Sequence, residues 1–480
     1  MRVPNPLEAL LLAIGRVLSR LGLVSAERAR LTVDLSWPRI LTGIARMSKN
    51  AADVAMVGIA LGPTAIAGVG YAGPFWGIAF SLGGGLAAGT IALVSQRFGA
   101  GQHAGAGQAI RSSAVVVTAV TVPVAALYYA VPTPLIGVLT DDPVALDFGA
   151  RYLHVVAIGV PFAALNLVGS RALIGADDAW TPMMLRGGGA IANVALNAVL
   201  IFGLGLGVVG AAIGTVLSNV LVTAGLAIGL ARGGLPGLGG FPLTVSPLGR
   251  YLDLGTIRDV VEIGTPVVGR NSTWTVARFP ALAFVGMFGS SVVAAYIITR
   301  RIWGLMNTPG WGFGLAASSL VGQELGTGDE ADAEAYGREI TIFSVATYAV
   351  AAAIVAAFAH QIVGLFVGTA GDVSVPLAVS MVYASALAIL PQGVTSTIAG
   401  ALDATGDTRW PFYSRVIGMF GFSIPLLYLG ATTPLGLWGI YLSFFGETAI
   451  SAVINYYRFA TGKWKAISRG YRPETRTPSD

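Results

Sequence analysis

Hydrophobic residues run along this chain in long blocks, broken by short polar or glycine-rich connectors, and not in the spaced stripes of a soluble amphipathic helix. Crossing the hydrocarbon of a bilayer takes roughly 20 apolar residues in a helix. By that ruler the blocks predict about twelve spans, near residues 37–59, 64–93, 108–131, 148–174, 182–204, 207–231, 257–286, 291–321, 337–359, 375–402, 411–430 and 435–459. The stretch from Asn5 to Leu23 is apolar too, but Glu8, Arg16 and Arg20 interrupt it. That pattern predicts an amphipathic helix lying in the interface; a thirteenth span would move the N-terminus across the membrane, and no small-residue cleavage pattern marks a signal peptide.

Composition agrees. The 480 residues are 54% hydrophobic and 11% charged, with a mean hydropathy of +0.73, whereas a soluble surface carries about 25–35% charge. The 65 glycines and 24 prolines are spread through the apolar runs, which suits membrane helices, where neighbouring helices satisfy the freed backbone groups. An all-α integral membrane protein is therefore expected. The absence of cysteine excludes a disulfide framework, a thiolate metal site and a cysteine nucleophile together. A net charge of +5 does not imply a nucleic-acid partner, because the basic residues gather at the ends of apolar runs and in the tails.

The connectors alternate in charge. Arg28, Arg30 and Arg39 precede the first span, Arg97 and Arg111 follow the second, Arg171 and Arg186 flank the fourth connector, and Arg232, Arg250 and Arg258 flank the sixth. These are the cytoplasmic sides by the positive-inside rule. The turns between them carry no Lys or Arg, and Asp141, Asp142 and Asp147 make the third-to-fourth connector acidic. The segment from Lys463 to Arg476 is basic again, so an even number of spans with both termini in the cytoplasm of a plasma-membrane protein is self-consistent. One connector, Glu324 to Glu339, is acidic on the cytoplasmic side, which the rule tolerates because carboxylates weigh little in it.

The chain also repeats itself at an offset of roughly 228 residues. Val94-Ser-Gln-Arg-Phe-Gly-Ala-Gly101 returns as Val321-Gly-Gln-Glu-Leu-Gly-Thr-Gly328; Asp178, Pro182 and Arg186 return as Asp407, Pro411 and Arg415; Gly207-Val-Val-Gly210 returns as Gly436-Leu-Trp-Gly439. Six spans per copy return the chain to the same side, so the copies form two six-helix lobes related by a pseudo-twofold axis along the membrane normal. The expected organisation is an amphipathic tail at 1–35, a first lobe at 36–232, a cytoplasmic linker at 233–256, a second lobe at 257–461 and a basic tail at 462–480.

Asp53 in Asp-Val-Ala-Met-Val-Gly58, together with the two Gln-centred repeats, resembles the multidrug and toxic compound extrusion (MATE) transporters. The stretches Asn193 to Thr215 and Gly406-Asp-Thr-Arg409 are similar to that family as well. The resemblance covers residues from about Leu35 to Ala460 and implies twelve helices, alternating access, and export of small organic substrates against an inward flow of protons or sodium ions. It implies no cofactor beyond the coupling ion, and the partners expected are a small organic substrate and membrane lipid, with the protein a monomer.

Ionisable groups inside spans are costly and point to function by default. Arg46, Lys49 and Asp53 fall within about 60° of one another on the first span, a polar stripe that must face protein or a wet cavity. Lys49 and Asp53 are spaced for a pair at i, i+4, which is either a self-neutralising structural pair or a coupling site. In the MATE resemblance the acid at Asp53 binds the coupling cation, with Asn193 and Thr215 lining the same pocket. Two positions depart from the family: Asn197 stands where relatives have a second aspartate, and Lys49 where they often have tyrosine. A sodium site wants several oxygens and net negative charge, so protons are favoured over sodium as the coupling ion. Asn193 and Asn197 share one helix face and serve either interhelical packing or the site.

Arg46, Asn50, Arg270, Asn271, Trp274, Arg278 and Arg300 are the candidate substrate-cavity residues. The basic excess among them predicts tolerance of zwitterionic or anionic compounds over dications. Asp259, Glu262 and Glu447 are the acids able to neutralise these arginines. No metal cluster is assembled from His103, His154 and His360. A lipid-linked precursor flippase of the same superfamily is the alternative function; an intramembrane enzyme finds no His-Glu-x-x-His or Gly-x-Ser-x-Gly motif, and a channel would conduct without stoichiometric coupling. The topology predicts that reporters fused after Arg97, Leu238 and Arg472 read as cytoplasmic and one near Asp142 as external; a cytoplasmic Asp142 breaks the argument.

Overall fold

Chain entry into the fold is set by a capped amphipathic helix. In a computed structural model, which describes residues 5–367 and 375–471, Asn5 caps α1 (Pro6–Arg20), its side chain accepting a hydrogen bond from the Leu7 amide. Glu8 in the first turn and Arg20 in the last complement the helix dipole. Helix α2 (Ala26–Leu61) starts nine residues before the expected end of the tail at 35, so the last part of that tail belongs to the first turns of α2.

A left-handed Gly62 (φ 83°) separates α2 from α3 (Pro63–Gly99), with Pro63 in the first turn, where its missing N–H costs nothing. There follow α4 (His103–Ala130), the short α5 (Pro132–Gly137) and α6 (Pro143–Val156). A 3-10 turn at Ala157–Gly159 joins α6 to α7 (Val160–Gly175), and α8 (Trp180–Ala198) runs into a π-helical turn, Val199–Gly203. After α9 (Gly207–Arg232), the two-residue strands β1 (Gly234–Leu235) and β2 (Gly239–Gly240) pair antiparallel. The second half holds α10 (Leu254–Gly286), α11 (Ser290–Met306), α12 (Thr308–Thr327), α13 (Glu330–Ala357), α14 (Ala359–Val367), α15 (Val375–Ala388) and α16 (Leu390–Thr405). It ends with α17 (Arg409–Val416), a π-helical stretch Ile417–Ser423, α18 (Ile424–Thr432), α19 (Leu437–Ala460) and α20 (Lys463–Tyr471).

Joined across these internal breaks, the helices make the twelve spans. The breaks have causes: Pro161, Pro309 and Pro391 each stand in the first turn of the helix after a break, and α15 and α16 meet at 42°. Eight helices among the described residues are long and apolar enough to cross a membrane on composition alone, nine if the α15–α16 pair is one span. The spans left out are α2, α10 and the α11–α12 pair, the helices that carry Arg46, Lys49 and Asp53, Arg270 and Arg278, and Arg300 and Arg301. Apolarity is lost where the ionisable groups are concentrated.

The described residues divide into two compact units. One, the N-half unit, lies within Leu41–Val268; the other, the C-half unit, takes its residues from Met1–Ile40 and Gly269–Glu474. The divisions fall inside α2 and α10, and not in the connector expected at 233–256. That connector instead packs on α9: Phe241, Leu243 and Val245 are buried, and the Val245 amide donates to the Leu230 carbonyl at 2.8 Å.

Within the N-half unit, α3 lies against α7 along small residues. A Cβ on Gly83 would stand 2.7 Å from that of Ala164, and one on Gly175 would stand 3.3 Å from the Ile91 carbonyl. Within the C-half unit the corresponding pair, α12 and α16, approaches more closely still: a Cβ on Gly400 would lie 2.9 Å from the Gly314 Cα, and one on Gly314 would lie 3.0 Å from the Ser396 carbonyl. Tyr348, Trp303, Phe444 and Met381 fill the core beside it.

The acidic connector Glu324 to Glu339 finds its counter-ions in this same unit. Arg28 forks between Asp332 (2.8 Å) and Glu339 (2.5 Å), and the Ser25 amide donates to Glu339 at 2.7 Å. From the other side, Lys465 reaches Glu334 at 2.6 Å and Arg469 reaches Glu330 at 2.7 Å. Segments preceding the first span and following the last thus neutralise the start of α13.

Because a methyl on Gly400 meets the Gly314 backbone, which cannot swing aside as a side chain can, Gly400→Ala should cost about 1–3 kcal/mol. Melting in detergent should fall by several degrees, while Gly70→Ala, where the new methyl meets open space, should leave it unchanged.

Candidate functional site

In the N-half unit, the i, i+4 spacing on α2 brings Lys49 Nζ to 2.6 Å from Asp53 Oδ2. From α8, Asn197 donates its Nδ2 to the other oxygen of Asp53 at 2.8 Å. The same spacing on α8 stacks Asn193 under Asn197, Nδ2 to Oδ1 3.4 Å, and Asn193 in turn donates to Thr215 Oγ1 on α9 at 3.3 Å. Lys49, Asp53, Asn197, Asn193 and Thr215 therefore form one continuous hydrogen-bonded chain across α2, α8 and α9. Asp53 is 9% exposed, and both asparagines are fully buried. A carboxylate so enclosed is stable only with partners on both oxygens, and it has them.

Gly214 makes room for this arrangement. A Cβ there would collide with the Asn197 carboxamide, whose Oδ1 is buried with no hydrogen-bond partner. Sequence reasoning missed Gly214 and also Tyr152 on α6, which lies within electrostatic range of Asp53. Neither position carries a charge or a repeated motif that could have signalled it.

Arg46, on the same stripe as Lys49, places its guanidinium 4.9 Å from the centre of the Phe80 ring. Arg186 feels the charges of Arg46 and Arg171, and Arg171 donates to the Gly84 carbonyl. Asn50 is exposed and stands outside the hydrogen-bonded chain.

The C-half unit assembles a second buried cluster, centred on Glu447 of α19, which is 2% exposed. Arg300 Nη1 on α11 contacts its Oε2 at 2.7 Å, and Trp274 Nε1 on α10 donates to its Oε1 at 3.0 Å. Arg415 of α17 reaches the same Oε1 at 3.7 Å. Arg300 also donates to the Tyr296 hydroxyl at 2.9 Å and lies over the rings of Tyr296 and Phe444. Arg270 forms a bidentate pair with Asp403 of α16, at 3.0 and 2.7 Å. Arg278 lies 4.2 Å from the Trp274 ring centre. Asn271 is half-buried beside Arg270 in sequence.

Arg270 and Arg300, for which the sequence left neutralisation by nearby acids open, are therefore matched. Glu447 answers Arg300 as the sequence allowed; Asp403 answers Arg270 and was missed, as was Arg415. The signal for Arg415 was its repeat relation to Arg186. Asp259, offered as a neutraliser, instead lies near Arg97 and Arg258 in the N-half unit. The repeated aspartates have parted ways: Asp178 accepts from the Thr181 amide at 2.9 Å and caps α8, while Asp407 pairs with Arg458 at 2.5 Å. Burial pushes the Asp407 carboxyl up, and the Arg458 hydrogen bond pulls it back. Among the described residues no group of three His, Cys, Asp or Glu stands close enough to hold a metal ion.

Glu447→Gln should cost about 3–5 kcal/mol by leaving Arg300 uncompensated in an apolar interior. The double substitution with Arg300→Gln should recover part of that loss, read as a coupling energy from melting in detergent. Additive losses would show that the two charges are not coupled.

The MatE family model matches the chain twice, at residues 38–199 and 266–429, the offset of the internal repeat. A probable multidrug resistance protein NorM of Bradyrhizobium diazoefficiens is 27% identical over 89% of this chain and 92% of its own length. The multidrug resistance protein PmpM of Pseudomonas aeruginosa is 26% identical over 88% of this chain and 89% of its own. A crystal structure of MATE in complex with MaD3S superposes with a TM-score of 0.82 at 21% identity, covering 92% of this chain and 97% of that one. An outward-facing multidrug resistance MATE transporter of the MOP superfamily gives 0.81 over 92% of this chain and 96% of that one.

Proposed function

We propose that this chain, which belongs to the MATE family of membrane transporters, exports small organic compounds by alternating access in exchange for protons. It works as a monomer in the plasma membrane with both termini in the cytoplasm. The observation that carries the coupling reading is the Lys49–Asp53 pair at 2.6 Å, closed on its other side by Asn197.

The charge of the pocket favours protons. The pocket holds one carboxylate and one ammonium, so it is formally neutral, and both oxygens of Asp53 already accept hydrogen bonds. A sodium ion would have to displace the ammonium to collect enough oxygen ligands. A proton needs no such space. Taken up on Asp53 Oδ2, it ends the ion pair and leaves Lys49 as an uncompensated cation in an apolar interior, a state several kcal/mol less favourable than the pair. The hydrogen-bonded chain through Asn197 and Asn193 to Thr215 ties that change to α8 and α9, so helix rearrangement relieves it. Release of the proton restores the pair and completes the cycle. The small-residue seams within each unit keep each one rigid while this happens.

Asp53→Asn should abolish efflux driven by a proton gradient, Lys49→Ala should change its pH dependence, and omission of sodium should change nothing. The measurement is dye transport in inverted vesicles with each gradient imposed separately. Transport driven by sodium alone at equal pH, lost in Asp53→Asn, would establish sodium coupling and sink the paired-charge mechanism.

A further inference from the structure

Around Glu447 the C-half unit sets four arginines, Arg270, Arg278, Arg300 and Arg415, against two carboxylates, Asp403 and Glu447. Asp403 is taken up bidentately by Arg270, and Glu447 by Arg300 and Trp274. Arg415 has only a 3.7 Å contact to an oxygen already bonded to Trp274. For Arg278 no carboxylate lies within ion-pair distance among the described residues; its guanidinium rests on the face of Trp274. It is also exposed, unlike Arg270, Arg300 and Arg415. A guanidinium on a membrane helix without a counter-charge is unfavourable by several kcal/mol, and a bound anion removes that cost.

We propose that Arg278, with the Trp274 face behind it, binds the anionic group of an amphipathic organic anion, a carboxylate, sulfonate or phosphate on an apolar body, and that such anions are substrates of the exporter. The proposal rests on the export reading above and adds the substrate class. The planar guanidinium fork suits two-oxygen anions. The apolar body follows from the helix: Trp274 stands one turn before Arg278 and Leu282 one turn after it, and Leu282 is 43% exposed. The surplus of positive charge is general, but Arg278 alone in this cluster is both open and without its own acid, so it carries the specificity.

The test is titration calorimetry on the purified full chain in neutral detergent, with 2-naphthalenesulfonate and its trimethylammonium counterpart as probes. The sulfonate should bind more tightly than the ammonium. Arg278→Gln should weaken sulfonate binding about tenfold, Arg278→Lys less so, and Arg278→Glu should reverse the preference. Melting of each variant without ligand separates a binding loss from misfolding, and Arg278→Lys keeps the test alive should the neutral variant fail to fold. Equal or tighter binding of the ammonium, or sulfonate binding indifferent to Arg278→Gln, overturns the proposal. Displacement of the sulfonate by phosphatidylglycerol but not by phosphatidylcholine makes the ligand a lipid headgroup and overturns the substrate assignment. Binding needs no transport: intact sulfonate binding without any proton-driven dye efflux would sink the export reading, while efflux without sulfonate binding would sink this inference alone.

Discussion

The cost of placing charge in an apolar medium organises this molecule. Each half of the chain carries ionisable groups in helices that pass through the membrane, and the structure meets that cost locally, inside the unit that bears them. Lys49 and Asp53 answer each other one turn apart on α2; Arg270 finds Asp403 and Arg300 finds Glu447 on helices far along the chain. The helices that fail the test of apolarity are those that carry these groups, so the departure from a simple hydrophobic span marks where chemistry has been built in. Where a counter-charge is missing, as at Arg278, the imbalance itself is informative.

The internal repeat has kept its mechanics and changed its charges. The same helix pair in each half, α3 with α7 and α12 with α16, closes along glycine and alanine, because without a hydrophobic drive between helices close backbone approach supplies the packing. Arg186 and Arg415 occupy repeated positions, yet the first faces other arginines and the second a glutamate. Asp178 caps a helix while Asp407 holds Arg458. Duplication thus conserved backbone proximity, which tolerates no new side chain, and released the ionisable positions to take separate roles.

Much of this was legible in the sequence, and the limits were physical. Apolar block length fixes the spans because the bilayer has one thickness, so α9 could be placed to within a residue, while α3, α4 and α13 run on past one end of their apolar blocks into polar turns. The pairing of Lys49 with Asp53, and of Asn193 with Asn197, followed from helical spacing. Contacts between helices distant in sequence, such as Arg270 with Asp403, leave no periodic trace, and Asp403 is preceded by nothing that marks it. The compact units could not be drawn at the glycine-rich connector, since that segment packs on α9 while α2 and α10 carry the divisions inside continuous helices. Gly214 was invisible because a missing side chain gives a signal only once its neighbour, Asn197, is in place.

The discontinuous make-up of the C-half unit bears on how the protein is made. Arg28 meets Asp332 and Glu339 across separations of 304 and 311 residues, so the earliest helices to leave the ribosome have no partners for this contact until most of the chain exists. At about 5–20 residues per second that wait lasts on the order of 15–60 s. Throughout it α1 and the first turns of α2 lack these partners, while the N-half unit is free to assemble. Assembly therefore runs N-half unit first, and the contacts of Lys465 and Arg469 with Glu334 and Glu330, which join the last helix to the start of α13, close the C-half unit afterwards.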